Sequence, residues 1–558
     1  MAAVAATAMP GCRRSATPPV PAAPPAARVT ISLVGTNDLH GRLEALPPFG
    51  GYLGNLRRAR ARDGGGVLLV DAGDMFQGTL PSNLNEGAAV VRAYNALGYA
   101  AAALGNHEFD FGPAGPAVTA QKPTDDPRGA LRARAAEATF PFLDANLVDA
   151  ATGAPPAWSN VVPDVLLAVA GIKVGIVGVA TMSTPRTTLA ANFAGLGIKP
   201  LAPAIAAAAT ELHRKGATVV IAAAHAGGVC KRFDAPEHFD SCEADGEIFQ
   251  VARELTASGA VVDAIVAGHT HEGVAHRVSG IPIVEAFANG HDFSRIDLTI
   301  DRATGRAIDA RIFPPQRICA PERCAGETYE GAPVVPDAAV AAAIAPALEA
   351  ARAERERSLG VVVTATIKRA QKVESPLGNL FADLMRAARP RADVALTNGG
   401  GLRADLPPGP LTYGRLFEAL PFDNRFATIP LTAAELAEAV LRNLGRDNGI
   451  VSLSGVRAEA RCEGGALVVH LFRPDGRPIP PKARLTLVTS DFLATGGDGL
   501  FSEETKQRAK LDDGPPIRDA MADLLAARKT PLTPDDPTLF DPARPRIAYR
   551  GLRPVECR

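Results

Sequence analysis

In ALGYAAAALGNHEFD (residues 96–110) an apolar run stops abruptly at an amide, an imidazole and two carboxylates. A strand buried on both faces reads as a continuous apolar run rather than an alternating one. The polar burst then places Asn106, His107, Glu108 and Asp110 beyond the C-terminal end of such a strand, where ligands gather in layered α/β sheets. The same punctuation recurs in RVTISLVGTNDLHG (28–41), GVLLVDAGDMFQG (66–78), ATVVIAAAHAGG (217–228) and VDAIVAGHTHEG (262–273). Helical stretches such as GGYLGNLRRARAR (50–62) and PAIAAAATELHRKG (203–216) lie between them and supply covering layers. Five polar strand ends in one α/β domain predict one shared site.

The chemistry at these ends is uniform. Asp38 and His40, two residues apart, project to the same side of an extended chain. Asp74 follows the second run, Asn106 and His107 the third, His225 the fourth, and His269 and His271 the fifth. Five of the ten histidines thus fall at strand ends, more than scattered capping or core histidines explain. Imidazole, carboxylate and amide carbonyl together suit Zn²⁺, Mn²⁺ or Fe rather than a soft thiolate site. Seven such ligands exceed what one ion takes. Two ions sharing Asp74 accommodate them, and metal pairs about 3.5–4 Å apart are a standard device for phosphoester hydrolysis.

Bulk properties narrow the class. A chain of 558 residues is expected to hold two domains or more. Its 59 basic and 60 acidic side chains leave a net charge of −1, with no overall pull toward a nucleic acid polymer or a membrane surface. No run has the length of a membrane span. The opening MAAVAATAMPGC reads either as the end of a lipoprotein signal, with a lipid anchor at Cys12, or as a tail without a role. RRSATPPVPAAPPAA after it is a Pro/Ala tether, so residues 1–28 form a signal-like segment. Of the other six cysteines, Cys230 with Cys242 and Cys319 with Cys324 form close couples, and Cys462 and Cys557 pair only by elimination. An even number at close spacing favours disulfides and an extracytoplasmic location, periplasmic or at the cell envelope, although many pairings remain open.

As an ordered set, NDLHG, DAGD, GNHEFD, AAAHAG and AGHTHEG resemble the calcineurin-like metallophosphoesterases. The resemblance implies a four-layer αββα sandwich over residues 29–330. It also implies one divalent ion held by Asp38, His40, Asp74 and His271, and a second by Asp74, Asn106, His225 and His269. Solvent at the pair, as a metal-bound hydroxide, would attack phosphorus. In this family His107 faces the phosphate, stabilising the transition state or protonating the leaving oxygen. Asp110, one turn on, can accept the other imidazole N–H and orient the ring. Glu108 and Phe109 have no assigned chemistry.

PDAAVAAAIAPALEAARAERERSLG (336–360) reads as a helix on propensity, a linker over 336–359. Beyond it, ESPLGNL (374–380), LTNGGGLRADL (396–406), LPFDN (420–424) and SDFLATGGDGL (490–500) are similar in order to the α+β C-terminal substrate-binding domain of 5′-nucleotidases, here 360–550. That resemblance implies that Arg403 contacts the phosphate, that Phe422 and Phe492 sandwich a nucleobase, and that Asn424 and Asp498 bond base edge and ribose. The chain departs from the pattern in two places. His271 stands where many nucleotidases carry an amide, a form shared with relatives acting on cyclic or 3′ nucleotides. Lys368, Arg369 and Lys372 stand just before ESPLGNL, where the resemblance implies phosphate-contacting arginines.

The expected activity is release of phosphate from nucleoside 5′-monophosphates and related nucleotides. The alternatives are a 2′,3′-cyclic-nucleotide 2′-phosphodiesterase/3′-nucleotidase, a thiosulfohydrolase of the same fold, which the NGGGLR, PFDN and GGDG loops disfavour, and a catalytically silent nucleotide-binding protein.

Overall fold

The computed structural model describes residues 27–557 apart from 116, 118, 121 and 513, so Cys12 and the Pro/Ala segment lie outside the described residues. Two sheets form the centre of the N-terminal half. The first orders its strands as Ala307–Arg317, Asp292–Asp301, Arg28–Thr36, Gly66–Asp71, Ala101–Ala103, Phe142–Leu143 and Val161–Val162. The second runs Gly273–Val278, Ile281–Ala286, Ala264–Ala267, Val219–His225, Ile172–Ala180 and Asp164–Val169. In each, the strands that end in the polar clusters are parallel, so those ends lie on one edge of the domain.

The sheets pack face to face. Val29, Ile31, Leu33 and Val70 of the first meet Val174, Ile176, Ile221 and Val266 of the second in one buried cluster. Helices Leu46–Asp63 and Ala88–Leu97 cover the outer face of the first sheet through Phe49, Leu53 and Tyr94. Helices Leu201–Arg214 and Glu247–Ser258 cover the second through Ile205, Leu212, Phe249 and Leu255. The result is the expected αββα order of layers. Central strands with cover on both faces cannot alternate polar and apolar residues, which explains their unbroken apolar runs.

Helix Ala338–Glu356 joins the halves. Asp337 caps it, its carboxylate accepting from the N–H groups of Ala339 and Val340 at 2.8 and 3.1 Å. Val340, Ile344 and Ala347 pack into the N-terminal core, whereas Ala351 belongs to the C-terminal one. The helix ends short of residue 359 because Ser358–Val363 is drawn into a strand beside Gly409–Thr412.

In the C-terminal half a five-stranded sheet runs Val451–Ser454, Val394–Asn398, Arg484–Ser490, Phe426–Thr432 and Lys510–Leu511. Pro376–Ala388 and Ile517–Ala526 cover one face and Ala433–Leu444 the other. Strands Val394–Asn398 and Arg484–Ser490 are parallel neighbours, so the glycine-rich loops after both emerge at the same end. Disulfides join Cys230 to Cys242, Cys319 to Cys324, and Cys462 to Cys557.

Candidate metal centre

All five strand ends converge. His40 Nε2 lies 3.0 Å from His271 Nε2, which lies 3.3 Å from Asp38 Oδ1. Asp74 Oδ2 is 3.1 Å from His225 Nε2 and 4.0 Å from His40 Nε2. Asn106 Oδ1 is 3.1 Å from His225 Nε2. Two groups of atoms that could hold a metal ion result, Asp38, His40, Asp74 and His271 in one and Asp74, His225 and His269 in the other, with Asp74 common to both.

The backbone by which they converge differs from the extended chain expected for Asp38 and His40. The strand ends at Thr36, and Asp38 (φ 49°) and His40 (φ 50°) are left-handed. Asp74 (φ 59°), His269 (φ 80°) and His271 (φ 60°) are left-handed as well. This conformation is costly for non-glycine residues and persists where the surroundings enforce it. Here the N–H groups of Asp38 and His40 donate to the carbonyls of Gly73 and Asp74 at 2.9 and 3.0 Å, tying two strand ends together. A Cβ at Gly105 would stand 2.2 Å from Asp74 Oδ1, so only glycine lets the third end approach the second.

Outer hydrogen bonds aim each candidate ligand. His40 Nδ1 donates to the Gln77 carbonyl and His225 Nδ1 to the Ala72 carbonyl, both at 2.8 Å, which turns each Nε2 inward. Asp38 Oδ2 accepts from Asn37 Nδ2 and the His269 N–H, both at 2.8 Å. Its Oδ1 is buried and accepts no hydrogen bond. Such an oxygen, beside inward-facing imidazole nitrogens, has the donor chemistry a divalent cation satisfies. Asp74 Oδ1 accepts from the His107 N–H at 2.9 Å, freeing Oδ2 for the cluster. Protons compete for the same atoms. Burial opposes charge on His225, but Asp74 outweighs it and pushes its pKa up to about 10, while burial and the neighbouring His225 push His269 down to about 3.

His107 begins a short 3₁₀ turn, His107–Phe109, and its Nδ1 donates to Asp110 Oδ2 at 2.5 Å. Burial would lower the pKa of His107, yet the carboxylates of Asp110 and Asp74 prevail and raise it. Glu108, without chemistry in the sequence, is a staple: buried, it accepts from the N–H groups of Asp74, Met75 and Gly105 at 2.9, 2.7 and 2.7 Å. Phe109 is core, edge-on to Phe193 with ring centroids 5.1 Å apart.

The C-terminal half closes over this centre, leaving a cavity of about 780 Å³ lined by Asp74, Asn106, His107, His269 and His271 on one side. Arg403, Phe422, Asn424, Phe492 and Asp498 line the other. Arg403 Nη2 reaches 3.0 Å from His40 Nε2. The Phe422 ring lies 5.6 Å from that of His107. Gln77 serves both halves, because its side-chain amide donates to the Pro421 carbonyl at 2.9 Å. Gly497 makes room for Phe492, since a Cβ there would meet the ring at 2.5 Å. Asn424 Nδ2 donates to Asp491 at 2.9 Å, and Asn398 Nδ2 to Asp498 Oδ2 at 2.7 Å. Burial pushes the Asp498 carboxyl up to about 6. Of the basic residues before ESPLGNL, Arg369 donates to the Leu402 carbonyl beside Arg403, and Lys372 pairs with Asp447 at the surface.

Two supports carry no signal in the sequence. Arg518 is buried, stacks on Phe417 and donates to the carbonyls of Leu420 and Phe422 at 3.2 and 3.1 Å, setting the loop that bears Phe422. A sixth strand end, after Ile172–Ala180, also reaches the centre: Ser183 Oγ lies 3.2 Å from His269 Nε2, and the Thr187 carbonyl accepts from Asn106 Nδ2 at 3.2 Å.

Comparison with known proteins agrees with this division. The family described as "Calcineurin-like phosphoesterase" matches residues 31–273, and "5′-nucleotidase, C-terminal domain" matches 350–504. The endonuclease YhcR of Bacillus subtilis is 28% identical over 497 residues, 84% of this chain, which spans only 37% of that relative's length. Protein UshA of Yersinia enterocolitica is 26% identical over 510 residues, 85% of this chain and 87% of its own. The crystal structure of a 5′-nucleotidase precursor from Thermus thermophilus has the same fold, with a TM-score of 0.70 over 91% of this chain and 100% of that one at 24% identity.

Proposed function

Because the chain belongs to the 5′-nucleotidase family, a calcineurin-like phosphoesterase domain followed by a 5′-nucleotidase C-terminal domain, we propose that it hydrolyses nucleoside 5′-monophosphates and related nucleotides to nucleoside and phosphate. One observation carries the reading: a single cavity has the convergent Asp/His/Asn cluster on one wall and Arg403, Phe422 and Phe492 on the other. A phosphate ester with an aromatic base matches both walls at once.

In this reading Asp38, His40, Asp74 and His271 hold one divalent ion, and Asp74, Asn106, His225 and His269 a second, each Zn, Mn or Fe. When bound, such a pair neutralises phosphate charge and activates water for in-line attack. The chain's own groups do the rest. Arg403 binds non-bridging phosphate oxygens through charge-assisted hydrogen bonds. His107, its Nδ1 proton committed to Asp110, delivers a proton to the leaving oxygen. Phe422 and Phe492 stack the base, a contact of about 1–3 kcal/mol that tolerates any base. Asn424 and Asp498 bond base edge and ribose.

His271 supports a second reading, a 2′,3′-cyclic or 3′-nucleotide substrate, because an imidazole replaces the amide of many nucleotidases there. Metal-loaded enzyme assayed on the 5′-, 3′- and 2′,3′-cyclic phosphates of adenosine decides between them. Preference for the 5′ ester is expected; preference for another ester installs the second reading, and inactivity on all three overturns both.

Three disulfides favour an oxidising, extracytoplasmic compartment. No described helix is long and apolar enough to cross a membrane.

A further inference from the structure

The Asp110 carboxylate has two oxygens, and His107 engages only one. The other, Oδ1, accepts a hydrogen bond from Thr188 Oγ1 at 3.0 Å. Thr188 is 1% exposed and stands at the end of the turn after the sixth strand, its N–H donating to the Thr184 carbonyl at 3.2 Å. The turn is anchored from behind: Glu247, at the start of helix Glu247–Ser258, accepts from Thr181 Oγ1 at 2.6 Å and from the Met182 N–H at 3.2 Å. Four residues past Thr188, Asn192 Nδ2 donates to the carbonyls of Phe109 and Asp110 at 3.1 and 3.3 Å. The second sheet therefore grips Asp110, a residue of the first sheet's loops, by side chain and by backbone.

We propose that Thr188 is a positioning residue for the His107–Asp110 pair: by fixing Asp110 Oδ1 it directs Oδ2 at His107 Nδ1 and holds the ring where Nε2 faces the leaving oxygen. A carboxylate with one bonded oxygen can rotate about its terminal torsion, which is broad. Bonded at both oxygens it has one orientation, and the imidazole inherits it. Thr188 belongs neither to the cavity lining nor to the two candidate metal-binding groups, and acts through Asp110. The proposal rests on the reading of His107 as the proton donor.

The experiment compares Thr188→Val, which keeps shape and loses the hydroxyl, with Thr188→Ser, which restores it. Each is assayed on adenosine 5′-monophosphate, whose alkoxide leaving group needs a proton, and on 4-nitrophenyl phosphate, whose phenolate does not. Thr188→Val is expected to lose about tenfold in kcat on the nucleotide, the scale of one hydrogen bond to a charged group. KM and bound metal stay near wild type, the loss on the aryl ester is smaller, and Thr188→Ser recovers most of the rate. Equal losses on both esters, or a loss of metal, overturn the proposal in favour of a purely structural threonine. His107→Ala is run alongside: if it shows no dependence on the leaving group, the proton-donor reading itself fails. If His107→Ala shows that dependence and Thr188→Val does not, only the positioning role fails.

Discussion

His40 and His271 meet nitrogen to nitrogen, their Nε2 atoms 3.0 Å apart, although one follows a strand of the first sheet and the other a strand of the second. Since His40 Nδ1 donates to the Gln77 carbonyl, its Nε2 carries a lone pair, which Arg403 Nη2 approaches to 3.0 Å and which a divalent cation would equally satisfy. The geometry makes metal binding the first property to test.

Asp74→Ala removes the carboxylate common to both ligand groups and is expected to strip both ions, against about two equivalents in the wild type. Elemental analysis of the dialysed proteins measures this. One retained equivalent would mean that Asp74 serves a single ion, and two would remove it from the site.

His107→Ala separates chemistry from metal binding. It is expected to keep its metal and lose about 10²–10⁴ in kcat on nucleotides, the range for a positioned acid or base. Asp110→Asn, which only weakens the orienting bond, costs less. Loss of metal from His107→Ala would reassign the ring as a ligand.

Phe492→Ala tests the base clamp. KM for adenosine 5′-monophosphate should rise about tenfold or more, the equivalent of roughly 1–3 kcal/mol of stacking. Turnover of a small aryl phosphate should stay near wild type, the signature of lost uniform binding. Parallel losses on both substrates would show that Phe492 supports the fold of its loop instead.

Glu435 carries a stability prediction. It completes a capping box with Thr432, accepting from the Thr432 N–H at 2.7 Å, and pairs with Arg508. Burial works against its charge, but the Thr432 N–H and Arg508 prevail and hold its pKa at about 2, below the usual 4.5. A depressed folded-state pKa contributes stability above 4.5 that fades as pH falls toward 2. Glu435→Gln should therefore cost about 1 kcal/mol at pH 7, discounted for solvent screening, and progressively less between pH 4.5 and 3. Denaturant midpoints across that range measure it, and a pH-independent difference would assign the cost to packing.

Much of the centre was legible because its signals are local. An apolar run followed by Asp, Asn or His marks a buried strand and its ligand end, and five repetitions made one site predictable. Glu108 was opaque because its three partners are backbone N–H groups, two of them more than thirty residues away. Thr188 and Ser183 were opaque for another reason: a strand end rich in hydroxyls, TMSTPRTT (181–188), reads as an ordinary turn. Arg518 supports Phe422 from a helix 96 residues further on, and no periodicity announces such a contact.

By itself the sequence determined which strands are buried, which residue types stand at their ends and which glycine-rich loops follow. These depend on patterning and turn chemistry within a few residues. The tertiary structure alone decided that Asp38 and His40 converge through left-handed backbone rather than a pleat, and that the second sheet holds Asp110. It alone placed Arg403 beside His40, 363 residues away. Those relations arise from the packing of two sheets and two domains against each other. That packing is set by the burial of whole faces at once, so no single stretch of chain encodes it.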